Sequence, residues 1–352
     1  MPFTVHKSRF KLPSAVANPL AVMWNNTLIV LAMENKRLRR IVFIKVSGSE
    51  EWSQRKTGGE VPGDRFYTEH TAQVIEDKIY LFVRQFYGFR AIYCLDLNSW
   101  TWALSNTDAP DISGGGGLLP SWVFKEKMYH YSDHRLFCYD VSKNFWEVPS
   151  LKGQLPPDLG LGFAVIDENT VFFFDRTDGL FILDMDTMFW TKVHGDPRKL
   201  LRITHCHLTL TKVSHSTAVL IGQSGNSMAC WLLDLHKAKQ LMEPSSVWTQ
   251  IKLPLPIIDN YATVLEPKGQ ELQLIGGRHF AAISSSVMKI RTRFPSLKSL
   301  ATDCAARSTC TSDLSQLPIC IRNEILVCKQ EMIGVESVCT QEEGCMKCQT
   351  PR

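Results

Sequence analysis

The feature that most constrains this chain is a recurring pair of residues. An Asp stands six positions before a Trp in Asp96–Trp102, in Asp140–Trp146 and again in Asp184–Trp190, and the three Trp are spaced 44 residues apart. The segments that end on them read alike: AIYCLDLNSWTW, RLFCYDVSKNFW and GLFILDMDTMFW. A fourth copy, CWLLDLHKAKQLMEPSSVW, ends at Trp248, where Asp234 stands fourteen positions before the Trp, which predicts a longer turn there. A fixed period of a few tens of residues is the signature of a supersecondary unit that cannot bury its apolar surface alone and must stack on copies of itself.

Each unit also carries two upstream apolar runs. KIYLFV, KMYHYS, TVFFFD and TAVLIG precede the Asp segments, and TAQVIE, SWVFKE, GFAVID and HLTLTKV precede those in turn. Short runs rich in Val, Ile, Phe, Tyr and Trp between polar turns read as strands, four to a unit. NTLIVLA, RIVFIKV and EWSQ form a weaker unit over 20–55, and YATVLE, LQLIGG and SSVMKI a last one over 261–290. The last unit lacks an outermost strand. RFKLP at 9–13 mirrors WTQIKLP at 248–254, so the N-terminus is expected to supply it and close the ring without an open sheet edge. The expected fold is an all-β, six-bladed β-propeller over 1–291. A β-sandwich is the alternative, and the regular Asp-to-Trp spacing argues against it.

These repeats resemble the kelch family, whose blades carry a Gly-Gly doublet after the second strand and a Trp downstream. The Trp persists in most units. The doublet stands only at Gly276-Gly277; elsewhere its place is taken by Val83-Arg84, Asp175-Arg176 or Gly222-Gln223, which makes this a divergent kelch propeller.

With 352 residues, 44% of them apolar and 21% charged, there is ample material for one large closed β domain. A net charge of +4 is too mild for a nucleic-acid-binding face. Met1–Ser14 holds no signal-peptide run and no eighteen consecutive residues are apolar, so an intracellular protein, cytoplasmic or nuclear, with no membrane span is expected. The sequon Asn25-Asn26-Thr27 is then chance. Of the eleven cysteines, Cys94, Cys138, Cys206 and Cys230 sit in or beside strand-like runs and read as small buried hydrophobes, while seven lie beyond residue 300. The odd total argues against a disulfide framework.

Signatures of catalysis are missing: no GxSxG elbow, P-loop or GxGxxG before a helix. The Gly-rich 113–119 joins two blades. In His205-Cys206-His207 the two His would share one strand face and the Cys the other, which leaves a metal short of ligands. No cofactor or metal is expected. A propeller enzyme of the galactose-oxidase kind would need copper ligands converging on the axis, and no such set is readable. The loops after the second strands instead carry Arg84, Arg90, Arg135, Arg176 and Arg278. The guanidinium fork grips carboxylates with two parallel hydrogen bonds, so arginines around one mouth would bind an acidic peptide or a terminal carboxylate.

Residues 292–330 leave the repeat. Pro295 suits a first helical turn, and Leu297, Leu300, Ala301, Cys304 and Ala305 recur on one helical face. Leu317-Pro318 then opens a second helical pattern with Ile321, Ile325 and Cys328. SLKSLATDCAA resembles a BC-box, the helix by which substrate receptors bind elongin C; registered on Ser296-Leu297 it has Ala301 at the position usually held by Cys and Ala305 last, and registered on Ser299-Leu300 it has Cys304 there but the poorer Ser308 last. LPICIRNEIL resembles the cullin-selecting box downstream of it. A kelch propeller followed by this pair is similar to the kelch-domain receptors of cullin-2 ubiquitin ligases, which implies elongin B/C and cullin-2 as partners and a degron, possibly C-terminal, at the propeller mouth. The alternative is a kelch interaction scaffold with no ligase link. The polar 331–352, including Cys339, Cys345 and Cys348, is expected to be disordered.

Overall fold

The computed structural model describes residues 4–7, 11–34, 40–46, 49, 51–62, 71–84, 90–108, 110, 120–157, 162–175, 178–193, 208–214, 216–224, 227–241, 244–252, 262–265, 271–276, 278–279, 282–283 and 287–291. All of them lie within the unit Met1–Thr292. They form a six-bladed β-propeller.

From the axis outward, blade 1 consists of Val16–Trp24, Thr27–Glu34, Arg40–Val46 and Ser53–Arg55. Blade 2 consists of Thr71–Ile75, Lys78–Arg84, Arg90–Asp96 and Thr101–Asn106. Blade 3 follows with Ser121–Phe124, Lys127–Ser132, Arg135–Asp140 and Phe145–Glu147. Blade 4 has Gly162–Asp167, Thr170–Asp175, Gly179–Asp184 and Phe189–Lys192. Blade 5 has Thr209–Lys212, Thr217–Ser224, Ser227–Asp234 and Trp248–Lys252. Blade 6 has Ala262–Leu265, Glu271–Ile275 and Val287–Arg291, with Thr4–Lys7 as its outermost strand. Each innermost strand packs beside the next, and that of blade 6 packs beside that of blade 1, so the ring is closed.

The N-terminus supplies the closing strand, and the described one is Thr4–Lys7, ahead of the expected segment 9–13, of which residues 9 and 10 lie outside the described residues. Thr4–Lys7 pairs antiparallel with Val287–Arg291, from Thr4↔Arg291 to Lys7↔Met288. Residues 11–13 lie outside any strand. Leu12, 3% exposed, is instead buried among Val16, Val264, Ile275 and Val287 at the seam of the first and last blades. The Lys-Leu-Pro likeness to blade 5 therefore reflects a buried leucine on the way to blade 1 rather than strand register.

Blades bury both faces against their neighbours, which explains why the middle strands read as unbroken apolar runs rather than alternating ones. Apolar clusters fill the junctions of blades 6 and 1, 1 and 2, 2 and 3, 3 and 4, and 4 and 5. Trp190 and Trp231 are among the largest fully buried side chains.

The repeated Asp makes the turn from the third strand to the fourth. Asp96 Oδ1 accepts the backbone N–H groups of Asn98 (3.0 Å) and Ser99 (2.7 Å), and Asp184 Oδ1 those of Asp186 and Thr187 (both 2.9 Å). Asp140 Oδ1 takes the Lys143 N–H at 3.2 Å. A carboxylate that satisfies the amides two and three residues on holds a tight turn without a partner strand. Four positions after each Asp, the backbone turns left-handed at Trp100, Asn144 and Met188, with φ of 58°, 51° and 56°. That places the repeat Trp second in the outer strand, opposite Leu95, Tyr139 and Leu183. In blade 5 the same Asp caps a helix instead. Asp234 receives the Lys237 N–H at 3.0 Å, and α1 (Leu235–Lys239) and α2 (Pro244–Val247) fill the longer interval before Trp248.

Blades 2 and 4 each gain a two-residue fifth strand, Gly58–Gly59 beside Thr101–Trp102 and Lys152–Gly153 beside Phe189–Trp190, both parallel. Each comes from the chain that has just left the preceding blade, so it straps one blade to the next.

Candidate binding face and blade junctions

All blades share one strand order, so the connections from second to third strand emerge together on one face of the ring. Short hairpin mouths on a rigid ring are the natural place for recognition. The topology brings four of the five arginines expected from the sequence to this face. Arg84 and Arg90 are register partners on the last rung of the blade 2 hairpin. Arg135 opens the third strand of blade 3, opposite Ser132. Arg278 sits in a small hairpin of its own within blade 6, paired with Ile283. Arg176 lies outside the described residues.

Arg135 is neutralised locally: its Nη2 meets Asp133 Oδ2 at 2.7 Å, and its guanidinium lies 5.2 Å from the Phe137 ring centre. The blade 3 mouth is also pinned from blade 4's approach, since the Tyr131 hydroxyl donates to the Pro156 carbonyl at 2.8 Å and His134 Nδ1 lies 3.1 Å from it. In blade 4 the buried Asp175 accepts the Asp178 N–H at 2.7 Å, and Asp178 in turn pairs with Lys192 at 2.6 Å. The blade 5 mouth, Ser224 opposite Ser227, is uncharged.

One residue escaped the sequence reading. Arg40 opens the third strand of blade 1, opposite Met33 on the same face. The signal was present in Asn35-Lys36-Arg37-Leu38-Arg39-Arg40, the most basic stretch among the connections. It went unnoticed because the first unit lacks the Asp-to-Trp spacing that located the others.

On the opposite face the described residues form ion pairs between blades. Asp167, at the end of blade 4's innermost strand, is 5% exposed. Its two oxygens take Lys212 Nζ at 2.5 Å and Lys239 Nζ at 2.8 Å, both from blade 5. Burial alone would raise the Asp167 pKa, but the hydrogen bonds from Lys212 and Lys239 outweigh it and hold the carboxyl below its ordinary range. Blades 3 and 4 are bridged by an exposed version of the same contact, Lys125 to Asp186 at 3.0 Å. Blades 1 and 2 are joined by the indole N–H of Trp24 donating to Asp77 at 2.9 Å.

Cys138 and Cys230 are buried and Cys94 half-buried, all as free thiols; burial pushes the Cys230 thiol up to about 12, so it is inert. Among the described residues, no three His, Cys, Asp or Glu side chains gather to hold a metal. The Gly-rich 113–119, the 205–207 pair of His, Cys345 and Cys348 lie outside the described residues, as does every tail residue singled out above: Leu297, Leu300, Ala301, Cys304, Ala305, Leu317, Pro318, Ile321 and Ile325.

No family model matches the chain. It is 25% identical over 266 residues to acyl-CoA-binding domain-containing protein 4 of Arabidopsis thaliana, which covers 66% of this chain and 37% of that protein. Over 179 residues it is 28% identical to acyl-CoA-binding domain-containing protein 6 of Oryza sativa subsp. japonica, covering 42% of this chain and 26% of that one. The chain thus spans well under half the length of either relative. By fold it is a six-bladed β-propeller, similar in sequence to part of two plant proteins named for an acyl-CoA-binding domain.

Proposed function

We propose that this chain is a non-catalytic substrate-recognition subunit of a cullin-RING ubiquitin ligase. Its kelch-type propeller holds a peptide degron on the hairpin face, and residues 292–330 engage elongin B/C and cullin-2. The recognition half is supported by one observation above the rest: a closed ring gathers Arg40, Arg84, Arg90 and Arg278 at hairpin mouths on a single face. The ligase half is supported by the sequence of the tail, with Leu297 as the residue that fills an apolar pocket on elongin C and the small Ala301 allowing close approach. Neither relative's name refers to a ligase. Such a subunit breaks no bond. It acts by raising the effective concentration of its target beside a ubiquitin-charged enzyme.

The full-length protein, expressed with elongin B and C, is expected to co-purify with both and to lose them on Leu297→Asp while its melting temperature is unchanged. A well-folded protein that captures no elongin would leave an interaction scaffold without a ligase link.

A further inference from the structure

The two straps share more than their pairing. Both read Gly-Glu/Gln-Val/Leu-Pro, as Gly59-Glu60-Val61-Pro62 and Gly153-Gln154-Leu155-Pro156. Each delivers two backbone N–H groups to a blade's outer edge. Gly58 and Lys152 donate to the carbonyls of the left-handed residues Trp100 and Met188, both at 3.0 Å. Glu60 and Gln154 donate to the carbonyls of the repeat Trp, Trp102 at 2.9 Å and Trp190 at 3.0 Å. Blade 3 has the same Asp turn, and its Trp146 stands opposite Tyr139 in the register that Trp102 and Trp190 hold opposite Leu95 and Leu183. The Trp146 carbonyl therefore points out of the blade edge as theirs do. Yet among the described residues no strap pairs with Phe145–Glu147. The first acceptor, the Asn144 carbonyl, takes the Asn106 side-chain amide instead, at 3.2 Å. Trp146 is partly exposed where Trp102 and Trp190 are buried, and Phe145 and Val148 beside it are 58% and 56% exposed.

We propose that the outer edge of blade 3 binds a partner's extended segment of the same Gly-Glu/Gln-Val/Leu-Pro kind, added in trans as a parallel fifth strand. The chemistry of the occupant is set by the straps that the chain makes for itself. Its glycine must be left-handed, because a Cβ at Gly59 or Gly153 would stand 2.1 Å from the Trp carbonyl oxygen. The residue after the glycine supplies the N–H for the Trp146 carbonyl. The aliphatic residue packs on the blade junction, as Leu155 does against the core of blades 3 and 4. The proline ends the pairing, since it has no N–H to donate. Phe145 is already placed for this contact. The same position in blade 4, opposite the turn Asp, is Phe189, whose ring lies 3.0 Å from where a Gly153 Cβ would be. Asn106 holds the first acceptor until such a segment displaces it. The edge lies on the circumference of the ring, so a partner there leaves the hairpin face free and the proposal stands apart from the reading of that face.

The test uses full-length protein and a fluorescein-labelled peptide with the sequence of the chain's own blade 4 strap, residues 149–158, followed by fluorescence anisotropy. Wild type is expected to bind it saturably, and to bind the same peptide with Ala in place of its Gly at least about tenfold more weakly. Phe145→Ala is expected to weaken binding about fivefold. Asn106→Ala, which frees the Asn144 carbonyl, is expected to tighten it about threefold. Phe189→Ala should stay within about twofold of wild type. The Phe145 side chain is largely exposed, so its truncation leaves the fold intact, and the Ala peptide tests the geometry on unaltered protein. Binding that is lost on Phe189→Ala but not on Phe145→Ala means that the peptide displaces the blade 4 strap, and overturns the assignment to blade 3. Equal binding of the Gly and Ala peptides overturns the strap geometry, as does weaker binding by Asn106→Ala. Absence of binding to both wild type and Asn106→Ala overturns the site.

Discussion

Removing the charge from Asp167 is expected to cost more than removing it from any exposed carboxylate on the same face. Asp167 joins blades 4 and 5 through two lysines at 2.5 and 2.8 Å, and its side chain is only 6% exposed. Breaking a fully buried pair costs roughly 3–5 kcal/mol, because it strands the partner charge away from water. Here the partners are Lys212 and Lys239, whose side chains keep 31% and 33% of their surface. Once released, both can turn to solvent, so the expected loss for Asp167→Asn is about 2 kcal/mol. For a unit this large that is about 4 °C in melting temperature. Asp186→Asn is the internal control: the Lys125–Asp186 bridge joins the neighbouring junction at 3.0 Å, but with 70% and 50% exposure. It should cost less than about 0.5 kcal/mol.

The pH dependence follows from the sign of the shift. The folded carboxyl titrates below its unfolded counterpart, so the stabilisation is fully present above an unfolded pKa of about 3.9 and fades as pH falls through the lower folded value. In urea titrations the gap between wild type and Asp167→Asn should therefore be constant from pH 8 to 5 and close only in stronger acid. A gap no larger than that of Asp186→Asn would refute the reasoning, as would one that already closes between pH 7 and 5.

Two further substitutions probe the strap and the core. Gly59 and Gly153 adopt φ of 77° and 83°, and a Cβ at either would stand 2.1 Å from the carbonyl oxygen of Trp102 or Trp190, whereas a Cβ at Gly58 meets only Thr101 Cγ2 at 3.7 Å. Gly59→Ala and Gly153→Ala should each lower stability by at least about 2 kcal/mol and Gly58→Ala by under about 1, measured by thermal melting. His130 is fully buried between Phe82 and Trp146 with neither ring nitrogen in a protein hydrogen bond, and burial pushes its pKa down to about 3. An unfolded His titrates near 6.5, so wild-type stability should decline by about 1.4 kcal/mol per unit as pH falls below that value, and His130→Phe should abolish this slope in urea titrations at pH 7 and 5.

What the sequence made legible is whatever recurs. The Asp and Trp of each unit could be read because one carboxylate and one indole do the same work three times: Asp96, Asp140 and Asp184 close the turn, and the Trp follows at a fixed distance. The middle strands could be read because burial on both faces demands unbroken apolar runs. The straps at Gly58–Gly59 and Lys152–Gly153 could not. A parallel pairing two residues long has no periodicity, and its requirement, a left-handed glycine against a Trp carbonyl, exists only once the blades are assembled. The register of the closing strand was hidden for a related reason. Leu12 is apolar because of the seam it fills, and an apolar residue near a sheet edge reads as strand from sequence alone.

The arginines illustrate a different limit. Their presence in the loops was legible, but their worth depends on neighbours that only the fold supplies. Arg135 is held by Asp133, two residues away, and lies over Phe137. The blades that carry Arg40 and Arg278 are neighbours only because the ring closes between blades 6 and 1. Ring closure therefore does more than protect a sheet edge. It joins the two ends of the repeat array, so that a basic residue near the start of the chain and one near its end come to share one surface. Any change that opens the ring should weaken peptide binding at Arg40 and Arg278 together, even though both residues remain in place along the chain.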